Sequence, residues 1–315
     1  MVAYSLYMGT AMRHFLTLAD YTSDEVEEIL EISAELKAGY EEGNRPSLLT
    51  NHVLGLLFSK PSLRTRVSFE AGISHLGGTS LYLGEDVGWG QRETPADFSR
   101  VISQFLDFIV CRTHAHSDVE TLAKFADCII VNGLTDKFHP CQALADVLTL
   151  REFKGTLKDC KLTYVGDGNN VARSLALACD RLGITFTVAC PNEYQLDQSF
   201  LDSLQNPDLA SQTADVETAV VDADAIYTDV WSSMGYESEE AKRKKDFAAF
   251  QVNEQLMSKA PADAIFMHCL PAHRGDEVTD GVMDSVQSRV VEQAANRMHA
   301  QKGLLVWLAK QANKA

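Results

Sequence analysis

Short apolar runs alternate with longer amphipathic stretches along nearly all of this 315-residue chain. That rhythm constrains the fold more than any other feature. "HVLGLLF", "TSLYLG", "FIVCR" and "CIIVNG" each have about the 4–8 residues of a strand and are rich in branched side chains, so they read as buried strands. Between them lie helix-like segments, such as "SDEVEEILEISAELKAGYEEG" with its acidic first turn and "TPADFSRVISQFL". The second half repeats the pattern with "KLTYVGDG", "TFTVACP", "AIYTDVW" and "AIFMHCLP". Strands alternating with helices pair in parallel, and parallel sheets need cover on both faces. The expected class is α/β: two domains, each a parallel β-sheet covered by helices on both faces, with a cleft between them. "HPCQALADVLTLREFKG" reads as a helix with Pro140 in its first turn, lying between the two strand series. The boundary is therefore placed near residue 150, giving domains 1–150 and 151–289. The final helix, about 290–315, is expected to pack back on the first domain.

Composition narrows the function. With 28 Lys and Arg against 44 Asp and Glu, the formal net charge is −16. Nucleic acid is excluded as a main partner, because phosphate backbones need a basic face. Seven cysteines, an odd number without a CxxC pair, read as reduced thiols, not a disulfide frame. No run approaches the ~18 apolar residues of a membrane helix. "MVAYSLYMGTA" lacks the basic start and apolar core of a signal peptide, with Met12 as an alternative start. A cytoplasmic protein without a membrane partner is expected.

Against that acidic background, "LFSKPSLRTRVSFEAG" gathers Lys60, Ser62, Arg64, Thr65 and Arg66 at the end of an apolar run. Cations at a helix start oppose the helix dipole, so a purely structural cap would favour Asp or Glu. A solvated basic turn is one reading. The other is an anion site, where helix N–H groups, a hydroxyl and a forked guanidinium converge. "CRTHAH" puts Arg112 just after a strand. "DKFHPCQ" puts His139 before a proline, which pushes it toward extended geometry, with Gln142 one turn on. "YVGDGNNVARS" has the order strand, glycine turn, helix, yet after Gly166 and Gly168 the third glycine position is Val171. A nicotinamide cofactor is not expected; what remains is a turn presenting Asn169 and Asn170 to the cleft. "YTDVWSSMG" and "FMHCLPAHRGDE" end in polar residues, notably Asp229 and Cys269. His268, Cys269 and His273 match no usual zinc spacing, so no metal is expected. The other six cysteines read as inert core residues.

As a set, "FSKPSLRTR", "CRTHAH", "HPCQALAD", "GDGNN", "DVWSSMG", "HCLPAHRGDE" and "NRMHAQK" resemble the ornithine carbamoyltransferases. The likeness runs from "MRHFLTLADYT" to the last helix. It implies transfer of a carbamoyl group from carbamoyl phosphate to L-ornithine, giving citrulline and phosphate in arginine metabolism, with no cofactor or metal. By the resemblance, Ser62, Leu63, Arg64 and Thr65 hold phosphate, with Arg112, His139, Gln142 and Arg297 around the carbamoyl end. Asn170, Asp229, Ser233 and Met234 hold the amino-acid end of ornithine, and Cys269 and Leu270 lie beside the reacting amine. Arg112, His139 and Cys269 are the implied catalytic residues, domain 1–150 the carbamoyl-phosphate half and 151–289 the ornithine half. A homotrimer with its site near a subunit interface is implied as well.

The chemistry of the residues agrees. Amine attack on a carbamoyl carbonyl builds charge on oxygen, for which Arg112 and His139 are suitable donors. The attacking δ-amine is lysine-like, with a pKa near ~10.4. Either a Cys269 thiolate or the departing phosphate must take its proton, and kcat/KM should rise with pH through about 8. Asp229 offers an acidic partner to a free α-ammonium, which an N-acylated ornithine would not need. Leu63 stands where these enzymes usually have Thr, and "SLRTR" also occurs in N-acylornithine relatives. Gly88 and Trp89 depart from the family in the loop "GEDVGWGQRET". The alternatives are an N-acylated ornithine or putrescine as acceptor, a non-catalytic phosphate-binding paralogue, and an α/β oxidoreductase. A cis peptide is expected at Leu270–Pro271.

Overall fold

The computed structural model describes residues 12–232 and 239–312, apart from the side chain at 85. The expectations for residues 1–11, Ser233 and Met234 lie outside the described residues. The first unit is built from β1 (Val53–Phe58), β2 (Thr79–Leu83), β3 (Phe108–Arg112) and β4 (Ile129–Leu134). They form one parallel sheet in the order β2-β1-β3-β4. Around it lie α1 (Ser23–Glu41), α2 (Leu63–His75), α3 (Pro95–Ile102), α4 (His116–Phe125) and α5 (Pro140–Lys154). The second unit is a five-stranded parallel sheet in the order β7-β6-β5-β8-β9. Its strands are β5 (Lys161–Val165), β6 (Thr185–Ala189), β7 (Ala210–Thr213), β8 (Ala225–Thr228) and β9 (Ile265–His268). Its helices are α6 (Asn170–Leu182) and the short α7 (Gln198–Asp202), α8 (Val216–Ala219), α9 (Glu240–Asp246), α10 (Glu254–Met257) and α11 (Asp280–Met283). The last, α12 (Val290–Ala312), returns to pack on α1, α2 and α5.

Local chemistry accounts for the helix ends. The α1 start is a capping box in which Thr22 and Glu25 satisfy each other's backbone N–H groups. Ser62 caps α2, and Pro95 and Pro140 open α3 and α5, where the missing N–H costs nothing. α12 can approach α1 closely only because residue 303 is glycine. A Cβ there would fall 2.8 Å from the Ile29 carbonyl oxygen. That contact lets Leu304, Trp307 and Leu308 bury completely or nearly so.

Two strand expectations need correction. "TSLYLG" is a strand, but an edge strand with one partner, and Leu81 is 51% exposed instead of buried. β7, "ASQT", was not foreseen, because a half-exposed edge strand needs no apolar run. All seven cysteines are free, six of them buried. Burial pushes the thiols up, to about 12 for Cys128, Cys141 and Cys190.

Candidate functional site

Open parallel sheets bind ligands where the strand order reverses, beyond the carboxyl ends of the strands. In the first sheet the chain runs from β1 outward to β2, then returns to β3 on the other side of β1. The reversal lies between β1 and β3, so "SKPSLRTR" and Arg112 flank it. In the second sheet it lies between β5 and β8, flanked by "GDGNN" and Asp229. Both reversals open into one cleft of about 1920 Å³.

On the first-sheet side the charge is positive. Ser62 Oγ accepts from the Thr65 N–H at 3.4 Å and donates to Thr65 Oγ1 at 3.0 Å. Arg297, from α12, donates through one guanidinium nitrogen to Thr65 Oγ1 at 2.8 Å and through the other to Gln142 Oε1 at 2.7 Å. Arg112 is buried at the end of β3, and burial together with Arg297 and Arg64 pulls its pKa down to about 10. His139 occupies the cap position of α5 with φ −129° and ψ 63°, non-helical but short of the extended geometry expected before a proline, its backbone N–H donating to Ser174 Oγ at 2.7 Å. Burial, Arg297 and Arg112 hold His139 well below the ordinary imidazole value, so it is neutral. Arg112 Nε, Arg297 Nε and His139 Nδ1 are buried without a partner among the described residues. Such an arrangement suits an anion with an adjoining carbonyl, because buried donors left unpaired are costly.

Across the cleft Asn169, not Asn170, organises the glycine turn. Its Oδ1 caps α6 by accepting from the Val171 and Ala172 N–H groups, while its Nδ2 donates to Asp229 Oδ2 at 3.0 Å. Asn170 Nδ2 donates to the Thr135 carbonyl at 2.6 Å, a link between the two units. Asp229 Oδ1 accepts from the Val230 N–H at 2.8 Å and from the Cys269 thiol at 2.9 Å. Burial and the adjacent Asp229 hold Cys269 well above the ordinary thiol value. Of the two candidate proton acceptors, a Cys269 thiolate is therefore disfavoured. Leu270 has a left-handed φ of 59°, and the Leu270–Pro271 bond is cis, as expected. The Leu270 N–H donates to His268 Nδ1 at 2.8 Å, and His268 Nε2 faces Glu277 Oε1 at 3.1 Å.

Ser62, Leu63, Arg64, Thr65, Arg112, His139, Gln142, Asn170, Asp229, Cys269, Leu270 and Arg297 thus all line one cleft. Leu63 is 76% exposed. Trp89 packs against Phe98 of the same chain. Asp229, His268 and Cys269 bring potential metal-donor atoms within 4.8 Å of one another. Both His268 ring nitrogens already have protein partners, the Leu270 N–H and Glu277. Sequence reading missed Asn169 as the group holding Asp229, although an Asn directly before a helix is a recognisable cap. It also missed the Arg243–Asp167 ion pair at the cleft wall, 2.7 Å long.

Comparisons with known proteins agree on one family. The model for the carbamoyl-P binding domain of aspartate/ornithine carbamoyltransferases matches residues 13–152, and that for the Asp/Orn binding domain matches 158–308. An ornithine carbamoyltransferase of Oceanobacillus iheyensis is 49% identical over 302 residues, covering 94% of each chain. The anabolic ornithine carbamoyltransferase of Pyrococcus furiosus is 48% identical over 306 residues, covering 95% of this chain and 97% of its own. The solved structure of the ornithine carbamoyltransferase from Pyrococcus furiosus superposes with a TM-score of 0.90 at 48% identity, covering 94% and 96%. That of Giardia lamblia superposes with a TM-score of 0.85 at 28% identity, covering 95% and 98%.

Proposed function

The chain belongs to the aspartate/ornithine carbamoyltransferase family, and we propose that it carries the carbamoyl group of carbamoyl phosphate to the δ-amine of L-ornithine. The observation that carries this reading is the pairing across one cleft of a cationic anion-binding half with the anchored carboxylate Asp229. Residues 1–150 with the returning helix at about 290–315 form the carbamoyl-phosphate half, and 151–289 the ornithine half. The α2 N-terminus with Ser62, Leu63, Arg64 and Thr65 takes the phosphate, Leu63 contributing its backbone N–H. Arg112 and the neutral His139 donate to the carbonyl oxygen as it gains charge, and Gln142 and Arg297 frame the carbamoyl group. Asp229 receives the α-ammonium, with Asn170, Ser233 and Met234 completing the amino-acid end. Cys269, as a thiol, and Leu270 flank the δ-amine.

Amine attack forms the new C–N bond, the C–O bond to phosphate breaks, and the departing phosphate accepts the amine proton. No cofactor is needed for that exchange. We further propose a homotrimer acting in the cytoplasm in arginine biosynthesis. Seven free thiols suit a reducing compartment, and no described helix is long and apolar enough to cross a membrane. The relative named anabolic supports the biosynthetic direction. The exposed Leu63, Val67, Leu81 and Tyr82 offer an apolar face for a subunit contact.

Citrulline formation from carbamoyl phosphate, with ornithine, N-acetylornithine, N-succinylornithine, putrescine and aspartate compared side by side, tests the acceptor. Turnover with ornithine alone is expected, with kcat/KM rising through pH 8. Turnover with an acylated acceptor would refute the role given to Asp229.

A further inference from the structure

At the cleft wall, four buried side chains from two helices are joined in one row of hydrogen bonds, Arg297–Gln142–Asp146–Gln293. Gln142 and Asp146 are one turn apart on α5, and Gln293 and Arg297 one turn apart on α12. Asp146 Oδ1 accepts from Gln142 Nε2 at 2.8 Å and from Gln293 Nε2 at 2.7 Å. Gln142 Oε1 accepts from Arg297 at 2.7 Å, and Gln293 Oε1 accepts from the His268 N–H of β9 at 2.8 Å. Asp146 and Gln293 are fully buried, and Gln142 and His268 are 1% exposed.

These two bonds, from Arg297 and to Asp146, leave the Gln142 amide one orientation. Turned over, its NH2 would face the donors of Arg297 and its oxygen would face the Asp146 carboxylate. Both contacts would be lost at once, in a place where water cannot replace them. Its single carbonyl oxygen has two lone pairs, of which Arg297 takes one, and Gln142 lines the cleft.

We propose that Asp146 is a positioning and specificity-determining residue: it fixes Gln142 as a hydrogen-bond acceptor toward the cleft, and so selects an acyl phosphate bearing an NH2 over one bearing a methyl. The inference rests on the reading above that Gln142 meets the carbamoyl end. A carbamoyl NH2 donates to that oxygen, whereas the methyl of an acetyl group leaves it partly unsatisfied. Burial raises the Asp146 carboxyl to about 7, but Oδ1 accepts from both amides whether or not the group is protonated. Asparagine presents the same oxygen.

The test is calorimetric binding of two phosphonates of nearly identical shape, phosphonoacetamide and 2-oxopropylphosphonate, which differ only in NH2 against CH3. The wild-type protein should prefer the amide by about tenfold or more, the usual cost of an unmet buried acceptor. Asp146→Asn should keep that preference. Asp146→Leu, of similar volume, should bring the ratio near one while binding 2-oxopropylphosphonate within about threefold of wild type. A wild-type ratio near one, a Leu variant that keeps the preference, an Asn variant that loses it, or equal weakening of both ligands would each overturn the proposal. Should the Leu variant not fold, the wild-type ratio and the Asn variant decide. Binding of neither phosphonate to the wild type would instead defeat the carbamoyl-phosphate reading, and the proposal with it.

Discussion

Arg112 is buried beside Arg297 and Arg64, with its Nε unpartnered among the described residues, so the folded chain holds like charges together. Replacing it by Ala should lower kcat by about 100- to 1000-fold, the usual loss of a preorganised oxyanion donor. The thermal midpoint without ligands should stay level or rise, because the repulsion is relieved. A fall of several degrees would mean that Arg112 is held for structure. His299 makes a different prediction. Burial and the neighbouring Lys302, Lys37 and His75 lower its pKa to about 3. Between that value and the unfolded ~6.5, the unfolded state binds a proton that the native state does not. Stability therefore rises with pH across this window, by about 1.4 kcal/mol per unit, and the contribution levels off above it. His299→Gln should remove about one proton from the slope of unfolding free energy between pH 4 and 6, measured by denaturant titration. An unchanged slope would place the titration elsewhere. The residues legible beforehand were those whose chemistry is odd for their position, such as cations at a helix start or a His before proline. Asp146 was hidden because a helix carboxylate ordinarily lies in solvent, whereas α5 is buried on every side from Pro140 to Leu150. Its partner Gln293 lies 147 residues away in the chain.

Elements were legible where periodicity and caps coincide, as in α1 with its capping box and α5 with Pro140 at its start. They were not where burial is partial: β2 passed for a core strand and β7 passed unseen, since edge strands need no apolar signature. The α6 start shows a cap serving two elements. Asn169 holds the helix N-terminus with one amide atom and Asp229, beyond β8, with the other. Asn169→Ala should cost about 1 kcal/mol of stability through the lost cap. It should also raise KM for ornithine much more than KM for carbamoyl phosphate. Equal rises in both would reduce Asn169 to a helix cap.

For the whole molecule, the two-unit α/β architecture and the returning helix follow from the order of the segments. The proposed subunit contact rests on surface pattern: Val67 and Leu81 are each 51% exposed, and Arg66 stacks over Tyr82 at 4.0 Å, joining α2 to the β2 edge. Sedimentation should give a mass near 104 kDa, three times the 34.7 kDa of the chain. Leu81→Lys should dissociate it, since a lysine on an edge strand blocks association, and activity should fall with it. A fully active monomer would refute the shared interface. The return of α12 also bears on synthesis. Arg297 meets Thr65 across 232 residues of chain, and Leu304 and Trp307 cover apolar surface contributed by the N-terminal half. During translation at about 5–20 residues per second, helices α1, α2 and α5 wait on the order of ten to thirty seconds for the helix that packs on them. A ribosome paused in the second half of the message would hold a nascent chain with that surface open to chaperones and with Thr65 still lacking its Arg297 partner.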